Sequence, residues 1–252
     1  MSKTILITGA TSGIGEASAI LFAQNGWNLI LTGRRQDRLN ELSSKIKAEH
    51  DVKLLCLCFD VRNREDIRNT ATQFKSEFAS VDVLLNNAGL ALGRSSFEDS
   101  DESDWETMID TNVRGLIAMS KEIIPHMKSK KSGHIINISS TAARDMYPGG
   151  NVYSATKAAV DALTQSLRID LLPHSIKVSS VTPGMVETEF SEVRFKGDKS
   201  KADAVYDNIE PLHAIDVADA IYYIASRPEH VNIGDILITC TAQATSNIIY
   251  RN

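Results

Sequence analysis

The stretch from Ile5 to Ala23 constrains the fold of this chain more than any other. An apolar run, Ile5-Leu6-Ile7, leads into Thr8-Gly9-Ala10-Thr11-Ser12-Gly13-Ile14-Gly15, and a helical pattern follows from Glu16 to Ala23. Strand, glycine turn and helix in that order form the context of a dinucleotide fingerprint. Gly9 suits the tight turn, Gly13 lets backbone approach a pyrophosphate, and Gly15 permits close helix packing. Ser12 and Ile14 stand at the helix start, where free N–H groups and the helix dipole favour phosphate. The spacing is Gly-x3-Gly-x-Gly, and no Gly-Lys-Ser/Thr follows, so this is not a P-loop. A plain strand-to-helix turn would not need three glycines in seven residues.

The rest of the chain repeats the alternation. Short β-branched or Leu-rich runs predict strands at 4–8, 28–32, 53–59, 81–86, 134–139, 177–182 and 235–238. Helical patterns predict helices at 13–24, 36–49, 64–78, 104–130, 153–172 and 216–226. Repeated strand–helix units imply an α/β fold with a doubly wound parallel sheet of about seven strands, flanked by helices. No linker or repeat divides residues 1–252, so one Rossmann-type domain is expected. Residues 185–208 read as irregular, charged and Gly-containing, a candidate substrate lid.

Bulk properties exclude several classes. A net charge of −5 argues against a general nucleic-acid binder. No apolar run approaches the roughly 20 residues of a membrane span, and no signal peptide is evident at the N-terminus. Three cysteines do not make a disulfide framework. Cys56 and Cys58 alternate in a strand-like run and are expected to face the same side, without metal-ligand company. His126, His134, His174 and His213 have no metal-ligand spacing either. No metal site and a cytoplasmic location are therefore expected. Asn137-Ile138-Ser139 spells a glycosylation sequon, but on a predicted buried strand. The acidic cluster Glu98-Asp99-Asp101-Glu102-Asp104 is expected to cap the next helix and stay solvated. Trp105 reads as a packing residue.

Chemistry concentrates in Tyr153-Ser154-Ala155-Thr156-Lys157. Tyr153 and Lys157 are four apart and share one helical face. A phenol holds its proton to about pH 10, and a neighbouring ammonium would bring it towards acid–base use near neutrality. Alone, Tyr-x3-Lys most often marks a surface aromatic beside a solvated lysine. Further segments change that reading. Asn86-Asn87-Ala88-Gly89 follows Val83-Leu84-Leu85, and Asn112 sits in a helical stretch. Ser139-Ser140 ends an apolar strand, with Ser140 thirteen residues before Tyr153, and Pro183-Gly184 ends another.

Together and in order, these motifs resemble the short-chain dehydrogenase/reductase family over essentially the whole chain. The resemblance implies the strand order 3-2-1-4-5-6-7 and a catalytic tetrad of Asn112, Ser140, Tyr153 and Lys157. Tyr153 would exchange a proton with the substrate oxygen, and Ser140 would hydrogen-bond that oxygen. Lys157 would hold the nicotinamide ribose and lower the Tyr153 pKa. Asn112 would interrupt its helix and hold water in a proton relay to Lys157. Asp60 and Val61 would bracket the adenine, and Asn87, Ala88 and Gly89 would floor the adenosine ribose. Asn86 reads instead as a buried amide that stabilises the sheet. Pro183, Gly184, Val186 and Thr188 would clamp the nicotinamide, although Pro-Gly also encodes a simple turn.

The end of the second strand decides the cofactor. A carboxylate there would bond the ribose hydroxyls and repel a 2′-phosphate. This chain has Gly33, then Arg34 and Arg35, with Arg38 beyond. Guanidinium forks suit phosphate, so NADP(H) is expected over NAD(H). Ser12 stands where some NADP enzymes of the family have a second basic residue.

Within the family, Asn87 to Gly93, Asp104 to Asn112, Gly149 to Tyr153 and Val193 to Asp198 resemble the NADP-dependent 3-hydroxy acid dehydrogenases. The resemblance implies reversible oxidation of small 3-hydroxy acids such as serine, allo-threonine and 3-hydroxypropionate, the last paired with malonic semialdehyde. A substrate carboxylate needs a cation. Arg194 is the first candidate and Arg144, just past Ser140, the second. Two rivals stay open: a reductase of other ketones or 3-oxoacyl thioesters, and a NADPH-binding regulator without turnover. The resemblance also implies a homotetramer, with the helices from Asp104 and Tyr153 at one interface and residues 241–252 as a further contact.

Overall fold

Apolar residues fill both faces of the central strands, so the sheet must be covered on both sides. Along the first strand, Ile5 and Ile7 join one buried cluster and Leu6 joins another. The period-two alternation of a strand thus feeds two separate cores. The computed structural model describes residues 2–78 and 80–251, and at Ala71, Lys75 and Ser76 the backbone alone. The expected domain limits, Met1 and Asn252, lie outside the described residues, as does the last residue of the expected C-terminal contact.

The elements run β1 (Thr4–Ile7), α1 (Gly13–Gln24), β2 (Asn28–Gly33), α2 (Gln36–Glu49), β3 (Leu54–Cys58), α3 (Arg64–Glu77) and β4 (Val83–Asn86). Then come α4 (Glu102–Ile109), a π-helical segment (Asp110–Gly115), α5 (Leu116–Lys130), β5 (Gly133–Ile138), α6 (Asn151–Leu171) and β6 (Ile176–Pro183). The chain closes with β7 (Val186–Glu187), α7 (Phe190–Arg194), α8 (Lys199–Asp203), β8 (Leu212–His213), α9 (Ala214–Ala225) and β9 (Asp235–Ile238). The main sheet is parallel with order β3-β2-β1-β4-β5-β6-β9. That is the expected seven-strand order, with β9 as its seventh strand. Residues from α1, α2 and α9 build the core on one face. Residues from α3, α5 and the end of α6 build the other.

Buried amides tie strands to helices. Asn86 Nδ2 donates to Asn137 Oδ1 at 2.9 Å and to Ser120 Oγ at 3.0 Å, and Asn137 Nδ2 donates to Thr164 Oγ1 at 2.9 Å. The sequon asparagine is therefore sealed in the core, with Asn137 fully buried.

Three expectations change. The helix expected at 104 begins at Glu102, because Asp101 caps it by accepting from the Ser103 N–H. Asp104 does not stay solvated: it is buried and pairs with Lys196 at 2.9 Å. Residues 185–208 are not irregular throughout. A two-residue parallel ladder joins β7 to β8, and α7 and α8 follow. Trp105 packs as expected, stacked on Phe97 with its Nε1 donating to Ser100.

Candidate active site

A cavity of about 320 Å³ opens along the C-terminal ends of the strands. It runs from Gly33, Arg34, Arg35, Asp60 and Val61 at one end, past Gly9, Ser12, Gly13 and Ile14 and the Asn87-Ala88-Gly89 segment. It reaches Ser140, Tyr153, Lys157, Pro183, Gly184, Val186 and Thr188 at the other. This is the place where ligands bind in open α/β sheets. The structure thus gathers almost all the residues singled out in the sequence. Gly15 and Asn112 lie behind the wall instead of lining it.

Their positions have local causes. Gly9 and Gly13 take positive φ values of 67° and 54°, a region where side chains are strained. A side chain at Gly15 would overlap the Gly9 carbonyl and come within 2.6 Å of Asn87 Nδ2. The loop is therefore pressed onto the β4 end, where Asn87 Nδ2 holds the Thr8 and Gly9 carbonyls. Thr8 Oγ1 accepts from the Asn87 and Ala88 N–H groups.

At the β2 end, no carboxylate follows the strand. Arg34 is largely exposed and its nearest carboxylate is Asp60, 3.8 Å away. Burial pushes the Asp60 carboxyl up, but the hydrogen bonds and charge of Arg62, with the charge of Arg34, hold it below its ordinary value. Arg35 folds back to donate to the Thr11 carbonyl at 3.0 Å and pairs with Glu189 at 2.8 Å.

At the other end, α6 carries Tyr153 and Lys157 on its buried face. Burial pushes the Tyr153 phenol up to about 12. The Ser140 hydroxyl, hydrogen-bonded to it, pulls down, Tyr147 adds to the rise, and Arg194 opposes it. Burial lowers Lys157 to about 8, against the nearby Asp161 charge. Lys157 was expected to depress the phenol. In the structure burial lowers Lys157 itself, and Arg194 is the cation that opposes the rise of the phenol. Lys157 Nζ donates to the Ile138 carbonyl at 2.9 Å. A buried lysine with no carboxylate bonded to it is a mark of a functional site.

Asn112 does interrupt its helix, since Asp110–Gly115 form the π-helical segment. Its Oδ1 accepts from the Leu90 N–H, and its Nδ2 donates to the Leu90 carbonyl and to Thr156 Oγ1. The space that a side chain at Gly89 would fill is bounded by Asn112 Oδ1 at 3.2 Å and Lys157 Nζ at 3.4 Å.

A second chamber of about 390 Å³ meets the first at Ser140, Tyr153, Gly184, Val186 and Phe190. Arg194 lines it, with its guanidinium carbon 5.2 Å from the Tyr147 ring and 5.6 Å from the Tyr153 ring. Arg144 does not line it. Its guanidinium is drawn to Asp161 at 3.4 Å and to Asp235, so two carboxylates from α6 and β9 neutralise it. The expectation that Arg144 could hold a substrate anion is thereby overturned.

Sequence reasoning missed two residues that hold the backbone after Pro183-Gly184. Gln243 Oε1 accepts from the Met185 N–H at 2.8 Å, and Tyr206 Oη donates to the Val186 carbonyl at 2.8 Å. Both are polar residues in segments with no periodic signal. It also missed Glu189, which lines the first cavity, and Arg94, which lines the second chamber; each stands beside a residue that had been singled out.

The comparisons with known proteins agree with this geometry. The short chain dehydrogenase family model matches residues 3–199. A sulfoacetaldehyde reductase of Chromohalobacter salexigens is 43% identical over 98% of this chain and 97% of its own length. The NADP-dependent 3-hydroxy acid dehydrogenase of Schizosaccharomyces pombe is 44% identical over 99% of this chain and 96% of its own. Among solved structures, the closed form of a serine dehydrogenase complexed with NADP+ superposes with a TM-score of 0.93 at 42% identity, covering 99% of both chains. A match of this extent, on a sheet of the expected order, places the chain in the short-chain dehydrogenase family.

Proposed function

We propose that the protein is an NADP(H)-dependent oxidoreductase that interconverts the 3-hydroxyl and 3-oxo groups of small 3-hydroxy acids. The observation that carries this reading is the meeting of two chambers at Ser140 and Tyr153. One is shaped for a dinucleotide, and the other presents Arg194 to an anion. The relatives' names, including serine dehydrogenase and 3-hydroxy acid dehydrogenase, support it.

The residues present fit the cofactor. Gly9, Ser12, Gly13 and Ile14 line the cavity at the start of α1, where free N–H groups suit a phosphate, and Arg34 lines its end beyond Gly33, where a 2′-phosphate would fall. When bound, NADP(H) supplies or accepts the hydride. Gly9, Ser12, Gly13, Ile14 and Gly15 form the phosphate turn, Arg34 and Arg35 read the 2′-phosphate, and Asp60 and Val61 flank the adenine. Asn87, Ala88 and Gly89 support the adenosine ribose. Pro183, Gly184, Val186 and Thr188 clamp the nicotinamide.

Tyr153 passes its proton to the substrate oxygen in reduction and takes one back in oxidation. Ser140 orients that oxygen beside the phenol. Lys157 holds the nicotinamide ribose with the donors its Ile138 bond leaves free. The polar niche between Asn112 Oδ1 and Lys157 Nζ would seat a water that relays protons to solvent. Residues 185–208 cover the substrate and so serve as a lid. The three free cysteines suit a reducing compartment, and we assign the protein to the cytoplasm. Exposed apolar residues such as Ile109 and Ile117, near the α4–α5 junction, suit assembly as a homotetramer.

The test is NADPH absorbance in a mixture of protein, NADP+ and L-allo-threonine or 3-hydroxypropionate, beside NAD+ as the rival cofactor. Absorbance that rises with NADP+ and a 3-hydroxy acid supports the reading. A preference for NAD+, or turnover of uncharged ketones alone, rejects it.

A further inference from the structure

The arginines at the cofactor end of the groove are not free. Arg34 has Asp60 at 3.8 Å, Arg35 has Glu189 at 2.8 Å, and Arg38 has Glu189 at 3.6 Å. Glu189 is the odd member of this set. Asp60 follows β3 and belongs to the wall beneath. Glu189 comes from the opposite side of the groove, one residue past Thr188 and at the cap position of α7. It and Arg35 both line the cavity, so their ion pair straps the groove from side to side.

Arg35 is fully committed by this arrangement. Its Nη2 and Nε face the Thr11 carbonyl and hydroxyl, and its Nη1 faces the Glu189 carboxylate. A phosphate monoester carries a charge of about −1.5 to −2 near pH 7 and seeks the same guanidinium fork. It must displace the carboxylate, because two anions cannot share one exposed arginine edge without repulsion.

We propose that Glu189 is an internal competitor for the cofactor's 2′-phosphate and thereby a determinant of cofactor discrimination. This rests on the NADP(H) reading above. A dinucleotide with the phosphate exchanges Glu189 for a stronger partner and opens the strap. One without it leaves Arg35 and Arg38 paired with Glu189 and gains nothing from either. The net gain from the 2′-phosphate is the difference between two ion pairs, so neutralising Glu189 widens the preference for the phosphorylated ligand.

The experiment is titration calorimetry of 2′,5′-ADP and 5′-ADP on the whole protein, comparing wild type, Glu189→Gln, Arg35→Gln and the double variant. The Glu189 and Arg35 side chains are 38% and 40% exposed, so both substitutions should leave the fold intact, as a thermal melt would verify. Glu189→Gln should tighten 2′,5′-ADP about three- to fivefold, the scale of an exposed ion pair, and leave 5′-ADP unchanged. In the Arg35→Gln background the tightening should shrink, which a double-mutant cycle reads directly. If Glu189→Gln leaves 2′,5′-ADP unchanged, weakens it, or shifts both ligands equally, Glu189 is a structural tie and the proposal falls alone. If the wild type binds 5′-ADP as tightly as 2′,5′-ADP, the NADP(H) reading fails first and takes this proposal with it.

Discussion

The Arg194 guanidinium lies 5.6 Å from the centre of the Tyr153 ring, and its Nη2 is buried without a hydrogen-bond partner among the described residues. Its Nε has only a long bond to the Gly93 carbonyl at 3.3 Å. An unmatched buried donor costs free energy, and a charged one costs more. On the proposed reading, an acceptor that arrives with the substrate would meet this donor.

Arg194→Gln should therefore raise KM for 3-hydroxypropionate about ten- to a hundredfold, the scale of a hydrogen bond to a charged group. An uncharged secondary alcohol should lose far less. Steady-state kinetics on both substrates check this, and an unchanged KM for the acid would place its carboxylate elsewhere.

Tyr153→Phe should lower kcat by about two to four orders of magnitude, because it deletes the proton donor. The Tyr153 ring packs against Phe190 with centroids 5.7 Å apart, and phenylalanine keeps that contact. NADPH fluorescence titration should give nearly the wild-type Kd. Near-normal turnover would reject the assigned role.

The buried lysine predicts a pH effect on stability. Lys157 has a folded pKa of about 8 against an ordinary 10.5. The unfolded chain therefore binds more protons between those values, and the free energy of unfolding, hence stability, rises with pH across that window. Tyr153, at about 12 against an ordinary 10.0, acts oppositely. Its stabilising contribution is present below pH 10 and is lost as pH rises towards 12. Denaturation of Lys157→Met beside wild type, from pH 7 to 10, should show the difference shrinking as pH rises. A constant difference would mean that Lys157 keeps an ordinary pKa in the folded protein.

Two glycines separate crowding from strain. Gly15→Ala sets a methyl 2.6 Å from Asn87 Nδ2 and into the Gly9 carbonyl, and should cost about 1–3 kcal/mol with loss of NADP+ binding. Gly26 has open space around it but a φ of 73°, so Gly26→Ala should cost about 1–2 kcal/mol and leave NADP+ affinity alone. Thermal melts with and without NADP+ distinguish them: only Gly26→Ala should keep the ligand-induced rise in Tm.

What was legible in the sequence follows from how local each signal is. The bounds of α1 and α2 matched expectation, because the glycine turn sets the start of the first and β-sheet residues frame the second. The start of α4 was misplaced because several acids in one run could each cap it, and only geometry selects Asp101. The pairing of β7 with β8 joins residues 26 apart through two-residue strands, too short for any periodicity to register. Arg144 misled for a related reason. Its partners Asp161 and Asp235 are 17 and 91 residues away, so its neutralisation is a property of the fold. Asn112, Ser140, Tyr153 and Lys157 were legible because each lies in a short motif that can be read from its immediate neighbours in the sequence. The depressed lysine and the unmatched Arg194 were not, since both are consequences of burial.

The amide chain from Ser120 through Asn86 and Asn137 to Thr164 has a wider meaning for this sheet. Strands covered on both sides are apolar on both faces, so a strand such as β5 could shift along its neighbours and still bury isoleucines. The amides cannot shift with it, because each would lose its partner while buried in the core. Two helices and two strands are thus indexed to one another by four polar side chains. The alignment of the strand ends, on which the opposition of Ser140 and Tyr153 depends, is written in the least hydrophobic part of the core.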